Sequence, residues 1–359
     1  MNNLKAISLF SGMGGDTLGL QNAGVEVIAY SELNKKFRKT HEMNFENCKV
    51  LGEDVNSDIT KISDEDILQL KNSVDIIFAG FPCQGFSNAG KKKLNDPRNT
   101  LFKEFVRTTK LLKPKIIIGE NVKGLLSRKT SDQKNYIDVI TNEFAKLGYK
   151  CIYQIFKCSD YNIPQSRERL IILGIHNEHI NRFKLEFPKK EKKDKEKCSL
   201  KNIVKFDMTG SIKIEKSCFD FTTIPDECIL KDLDNEEYGN NPHPYLVSKV
   251  NSNILEYKEK SFKSLLSFGK RISPIHIEII DIRKPSKTII CTYNHQPRLM
   301  VPLQNKNGYY LRTLLPDELK QIQGFPKDFT LYGNNKEKII QIGNAVPPPL
   351  ITKIIKNII

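Results

Sequence analysis

The sequence predicts an α/β fold: a mostly parallel sheet with helices on both faces, followed by a smaller, irregular domain containing β-structure. Three observations predict it. Short β-rich runs alternate with amphipathic helical patterns through the first half. A charge run at 189–197 (KKEKKDKEK), with six lysines and three acids, interrupts that texture. Beyond it, from about 198 to 311, periodicity weakens among scattered Pro, Gly, Asn and Ser.

In chain order, residues 4–10, 25–30, 74–79, 115–119 and 169–175 read as strands. Between them, residues 100–112 set Leu101, Phe105, Thr108 and Leu112 at helical spacing, and 136–147 behave in the same way. The charge run reads as a solvated linker or surface turn. Within the irregular part, 288–292 and 298–302 are short β-rich pieces. Pro316-Asp317-Glu318 then opens a helix with proline and early acids where helices favour them, Leu315, Leu319 and Ile322 share one face, and Gly324 closes it. The final apolar run, 350–359, reads as a helix packing back on the main body. We divide the chain into 1–185, 186–335 (including the helix at 316–323) and a returning segment, 336–359.

With 359 residues, 39% of them hydrophobic, the chain can build packed cores and is neither a disordered tail nor a disulfide-stapled mini-protein. Lys plus Arg number 57 against 42 Asp plus Glu, and this balance of +15 favours a polyanionic partner. No apolar run approaches the roughly 20 residues of a bilayer span, and residues 1–10 lack a secretory h-region, so no membrane and a cytoplasmic address are expected. The eight cysteines contain no Cys-x-x-Cys pair, so no metal site is signalled.

Four features carry chemistry. The first strand ends in Phe10-Ser11-Gly12-Met13-Gly14-Gly15, and Glu32 ends the second strand 20 residues beyond Gly12. Glycines there let backbone approach a ligand while a carboxylate accepts bonds from ribose hydroxyls; a plain tight turn is the alternative, because Thr17 replaces the third glycine of G-x-G-x-x-G. Gly80-Phe81-Pro82-Cys83-Gln84-Gly85-Phe86-Ser87 follows a buried strand, where a cysteine in a polar loop reads as a nucleophile. Glu120-Asn121-Val122 reaches the same rim; a carboxyl group there costs desolvation energy unless used or paired, which suits a proton donor or a helix cap. Gln165-Ser166-Arg167-Glu168-Arg169 puts two guanidinium groups on one edge by strand alternation, to hold carbonyl oxygens or phosphates or simply to pair with Glu168.

These features in this order, followed by 312–326 and Gln341-Ile342-Gly343-Asn344-Ala345-Val346-Pro347, resemble the DNA (cytosine-5) methyltransferases, especially the bacterial restriction-modification enzymes. The resemblance implies a Rossmann-like S-adenosylmethionine-dependent sheet, with a target-recognition domain in the unmatched region near 186–300. It makes Cys83 the thiolate that adds to cytosine C6, Glu120 the group that protonates N3, Arg169 the holder of O2 and Arg167 a brace. For the cofactor it implies Phe10 near the adenine, Gly12, Gly14 and Gly15 in the turn, Glu32 on the ribose, Asp54 and Val55 at the adenine edge, Pro82 and Leu101 on the pocket wall, and Asn344 near the methionine. Two positions depart from the family pattern: Leu33 stands where an aromatic residue is common, and Leu315 where a capping threonine is usual. The target nucleotide must leave the duplex, as enzymes of this class require; Gln84, Ser87, Lys91, Lys92 and Lys93 lie in the segment resembling the loop that closes over it. Double-stranded DNA is the implied partner of a monomer, with a cognate restriction endonuclease acting on the same site. Two alternatives keep the fold: a transfer-RNA cytosine-5 methyltransferase and a non-catalytic DNA-binding regulator.

Overall fold

The computed structural model describes residues 4–82, 101–130, 132–255, 265–272 and 276–359. Its first part runs β1 (Lys5–Leu9), α1 (Gly15–Gln21), β2 (Glu26–Ser31), α2 (Lys35–Asn44), β3 (Lys49–Val50), α3 (Asp64–Leu68), β4 (Ile76–Ala79), α4 (Phe102–Leu112), β5 (Ile116–Val122), α5 (Tyr136–Lys146), β6 (Tyr149–Lys157) and β7 (Glu168–His176). The second continues with β8 (Ile212–Lys213), β9 (Leu230–Asp232), α6 (Pro244–Leu255), β10 (Leu266–Phe268), β11 (Ile277–Ile279), β12 (Leu299–Asn305) and β13 (Gly308–Thr313). Three helices finish the chain: α7 (Pro316–Ile322), α8 (Asn335–Asn344) and α9 (Pro348–Ile358).

The large sheet has the order β3-β2-β1-β4-β5-β7-β6, parallel from β3 to β5 and antiparallel across β7 and β6. Strand β4 and most of β5 are buried on both faces, which explains their continuous apolar runs. Alternate residues feed opposite sides: Ile77, Ala79 and Ile117 pack with Phe105 and Phe144 of α4 and α5, whereas Ile76, Phe78 and Ile116 join a core shared with α9 and the second sheet. Because the chain leaves β1 for β2 on one side and returns to β4 on the other, the order reverses between β1 and β4. In open α/β sheets ligands collect at the carboxyl ends beside that reversal.

The second sheet runs β10-β11-β12-β13-β8, with β9 also on β12. Helix α9 lies on α1, where Gly19 leaves room for Ile351 and Thr352 Oγ1 donates to the Gly19 carbonyl at 3.0 Å.

One expectation is corrected. Residues 288–292 form no strand: the N–H of Ile289 donates to Gln165 Oε1 (3.1 Å) and its carbonyl accepts from Arg167 (2.9 Å), so side chains take the bonds a ladder would use. Of the two readings of the charge run, the surface turn is the one the structure shows, tied down by a few bonds. Glu191 N–H donates to the Asp160 carbonyl, Asp194 N–H to Asn162 Oδ1, and Glu191 pairs with Lys353 of α9. The Glu191 carboxylate bonds Asn162 and Lys353, the Asp194 carboxylate caps backbone within the run, and most of its lysines face solvent.

Candidate active site

The carboxyl ends of three parallel strands converge. A Cβ on Gly80 would lie 3.6 Å from the Phe10 carbonyl oxygen and 3.9 Å from Glu120 Oε2, so the exits of β1, β4 and β5 share one rim. The chain leaves β4 through buried Phe81 and half-buried Pro82, and it re-enters at Leu101, the residue before α4. Cys83, Gln84, Ser87, Lys91, Lys92 and Lys93 fall between these points and lie outside the described residues. Asn121 holds the entry to that segment: its side-chain amide donates to the Phe81 carbonyl at 3.1 Å, and its oxygen takes Val122 N–H at 2.8 Å.

Glu120, 8% exposed, is paired rather than free. Its Oε1 lies 2.7 Å from Arg169 Nε, with both side chains largely shielded. An ion pair in so dry a place gains strength from the low local dielectric and fixes the carboxyl group in one orientation. Arg169 also donates to the Glu168 carbonyl at 2.7 Å, while the Glu168 carboxylate pairs with Lys123.

Strand alternation predicts both arginines on one edge, and the structure separates their tasks. Arg167, which precedes β7, is 1% exposed and donates to the carbonyls of Ile289 (2.9 Å) and Gly343 (3.1 Å). Burial and the adjacent Arg169 push its guanidinium down to about 9, still charged at neutral pH. Gln165 works beside it, bonding Ile289 N–H and, through its amide, Gln323 Oε1 at 2.6 Å; Gln323 in turn donates to the Ala345 carbonyl at 2.5 Å. The motif therefore ties the end of β7 to 289 and to 343–345. The glycine at 343 is required for this contact, because a Cβ there would meet backbone of Ile290 and Cys291 at 2.5–2.6 Å.

The glycine turn after β1 lies on the same sheet edge. Phe10 adopts φ 58, and Gly12 and Gly14 take φ 61 and 91. Gly14 is hemmed in by Phe45 and His41, whereas a Cβ on Gly12 would meet nothing within 4 Å: the turn is closed below and open above. Gly15 packs against the Val346 carbonyl and the Phe325 ring, bringing exposed Asn344 to the same turn. Below it, Asp16 is fully buried and accepts from Ser8 and from Ser11 (3.0 Å); burial pushes its carboxyl up to about 6. Ser11 reaches Thr17, and Thr17 Oγ1 sits 2.9 Å from His41 Nε2; burial holds His41 down to about 3, stacked on Tyr30.

Glu32 Oε2 accepts Gly12 N–H at 2.9 Å and Oε1 accepts Asn34 N–H at 2.7 Å. Burial pushes this carboxyl up, and those backbone bonds and Arg38 oppose the shift. Leu33 is 56% exposed, Asp54 is exposed and Val55 half-buried, on two loops brought side by side. At 315, Leu315 supplies no side-chain cap; Glu318 takes its N–H at 2.9 Å while forming a buried pair with both Nη atoms of Arg312.

The model of the C-5 cytosine-specific DNA methylases matches residues 4–359. The chain belongs to that family. It is a DNA (cytosine-5)-methyltransferase, and S-adenosylmethionine is its methyl donor. Among its relatives, type II methyltransferase M.PspPI of Psychrobacter sp. is 32% identical over 98% of this chain and 78% of its own length; M.FnuDI of Fusobacterium nucleatum is 30% identical over 99% and 94%, and M.BsuFI of Bacillus subtilis 30% over 97% and 70%. In fold the methylase is similar to a putative prophage DNA modification methyltransferase of E. coli (TM-score 0.63, 22% identity, 99% and 98% covered) and to DNMT2 of Spodoptera frugiperda (0.64, 19%, 98% of each chain).

The methylase's own residues fit the donor. An open face above Gly12, a carboxylate at the end of β2 and the exposed aliphatic face of Leu33 supply backbone approach, acceptors for hydroxyls and an apolar surface for a base. Sequence reasoning missed Asp16, His41 and Arg38, which touch the turn and its flanking loops from behind. One signal pointed to Arg38: α2 opens with Lys35, Lys36 and Arg38 and no acid, against the helix dipole. Among the described residues, no helix is long and apolar enough to cross a membrane.

Proposed function

We propose that this methylase acts on one cytosine within a short site in duplex DNA, swung out of the stack and held by a transient bond between Cys83 Sγ and C6. The observation that carries the reading is the Glu120–Arg169 pair, dry and fixed at the strand ends beside the carbonyl of Phe81, two residues before the cysteine. Cytosine C5 is a weak nucleophile. Attack of the Cys83 thiolate at C6, with Glu120 taking a proton from water and passing it to N3, moves the ring electrons to C5 and makes it an enamine carbon. Arg169 keeps Glu120 oriented and holds O2. When bound, S-adenosylmethionine would supply an electrophilic methyl group to C5 and leave as S-adenosylhomocysteine; with water taking the C5 proton, the returning electron pair expels the Cys83 thiolate and N3 gives its proton back to Glu120.

Phe10, Gly12, Gly14, Gly15, Glu32, Leu33, Asp54, Val55, Pro82, Leu101 and Asn344 form the donor site in this reading. Gln84, Ser87 and Lys91–Lys93 meet the DNA. Residues 1–185 with 336–359 form the catalytic unit, and 186–335 choose the sequence through major-groove contacts. The enzyme works as a cytoplasmic monomer, protecting a site that a cognate endonuclease cuts.

Incubation with labelled S-adenosylmethionine and mixed-sequence duplex tests this. Label is expected on cytosine C5 at one sequence, with loss of turnover in Cys83→Ala and a stable conjugate at position 83 on 5-fluorocytosine DNA. Turnover that survives Cys83→Ala defeats the reading.

A further inference from the structure

We infer that Arg38 is a positioning residue for the methyl donor, a clamp that fixes the distance between the ribose loop and the adenine loop. The inference rests on the assignment of Glu32, Leu33, Asp54 and Val55 to the nucleoside. Arg38 projects from the first turn of α2. Its Nη1 donates to the carbonyls of Glu32 (2.7 Å), Leu33 (3.2 Å) and Asn56 (2.7 Å), and Nη2 donates to Asn56 Oδ1 (2.8 Å). One planar guanidinium thus spans two segments some twenty residues apart in sequence, and Asn56 closes the arrangement by donating from Nδ2 to the Leu33 carbonyl at 3.4 Å.

Three observations make the clamp more than surface decoration. First, these bonds end on neutral oxygens, at a helix N-terminus where the dipole disfavours a cation and where α2 has no first-turn acid. Lys36, also in that turn, reaches Glu337 of α8 instead. A position that breaks a local rule and then satisfies its donors across two loops is one selected for what it holds. Second, Asn56 and Ser57 take consecutive left-handed conformations, φ 58 and 53, without glycine. Such a pair persists only when its surroundings over-determine it. Arg38 grips Asn56 twice, while buried Ser57 donates its N–H to the Gly52 carbonyl (2.7 Å) and accepts Glu32 N–H on Oγ (3.0 Å). Third, the guanidinium's charge lies close enough to oppose the upward push of burial on Glu32. Arg38 therefore favours the charged form of that carboxyl and keeps the loop of Asp54 and Val55 opposite it.

Calorimetric titration of S-adenosylmethionine into the full-length enzyme, without DNA, tests the clamp. Arg38→Ala is expected to raise Kd about 30-fold, with kcat at saturating donor within about threefold, because the loss falls on binding rather than on the reacting atoms. Arg38→Lys keeps the charge without the fork and falls between. Asn56→Gly, which keeps the positive φ and loses both side-chain bonds, the one from Arg38 and the long one to Leu33, costs about threefold. A Kd for Arg38→Ala within twofold of wild type, or a fall in kcat at unchanged KM, overturns the proposal; should Arg38→Ala not fold, unchanged affinity in both milder variants overturns it. Glu32→Gln separates this from the underlying assignment. If it binds as wild type while Arg38→Ala binds weakly, the ribose role fails and the clamp stands; weak binding by Glu32→Gln alone removes the clamp and keeps the ribose role; wild-type binding by both removes the two together.

Discussion

Replacing Gly343 by alanine tests how the last turn of α8 is held against the 290–291 segment. The added methyl would sit 2.5 Å from the Ile290 carbonyl carbon and 2.6 Å from Cys291 Cα, against an ordinary contact of 3.4–4 Å. Backbone cannot rotate away as a side-chain tip can, so α8 and the 290–291 segment must part by roughly 1 Å to restore contact distance. The Gly343 carbonyl accepts from Arg167 at 3.1 Å, and a shift of that size stretches the bond beyond a useful length. Overpacking a tight contact costs about 1–3 kcal/mol, and loosening one bond of a buried guanidinium adds about 1.5–3 kcal/mol. The expected total is about 2.5–6 kcal/mol, a large share of the roughly 5–15 kcal/mol that holds a folded protein. Urea unfolding should show a lower midpoint at unchanged slope. A Gly343→Ala enzyme that loses less than about 1 kcal/mol and keeps full activity would falsify both the clash and the role given to Arg167.

The same change at Gly12 should behave oppositely. With φ 61 and nothing within 4 Å of a Cβ, Gly12→Ala costs only about 1 kcal/mol of strain, yet it fills the open face, so donor Kd should rise at least tenfold by calorimetry; unchanged affinity would remove the turn from the donor site. Two buried groups beneath that turn set opposing pH terms. His41, held down to about 3, contributes stability that is present above its unfolded value near 6.5 and is lost on acidification, about 2 kcal/mol by pH 5. Asp16, pushed up to about 6, contributes stability that is full below 3.8 and is lost as pH rises through 6, worth about 3 kcal/mol across that window. The unfolding free energy measured from pH 4 to 7 should therefore rise on acidification in His41→Gln and fall more steeply than wild type in Asp16→Asn; parallel curves for all three would contradict the burial of this network.

Much of the fold is legible because its signals are local. The buried strands announce themselves as apolar runs, and 4–10, 25–30, 74–79 and 169–175 match β1, β2, β4 and β7 within about two residues. Pro316 and Gly324 bracket α7 for reasons contained in that segment. By contrast β6 gives no clean alternation, since it forms the outer strand on β7 and exposes Tyr153 at 43%. Residues 288–292 mislead in the other direction: their composition is that of a strand, and their bonds belong to Gln165 and Arg167.

The order of motifs along the chain indicated by itself what chemistry this enzyme performs, and an acid and a glycine turn placed after buried parallel strands surface at one sheet edge. Which groups restrain them was decided only in three dimensions. Arg167 finds its acceptors 122 and 176 residues away, Glu120 finds its partner across an antiparallel pairing of β5 with β7, and Arg38 grips a loop whose left-handed residues carry no glycine to betray them. A hydrogen bond of this kind depends on distance in space, and no periodicity in the chain records it.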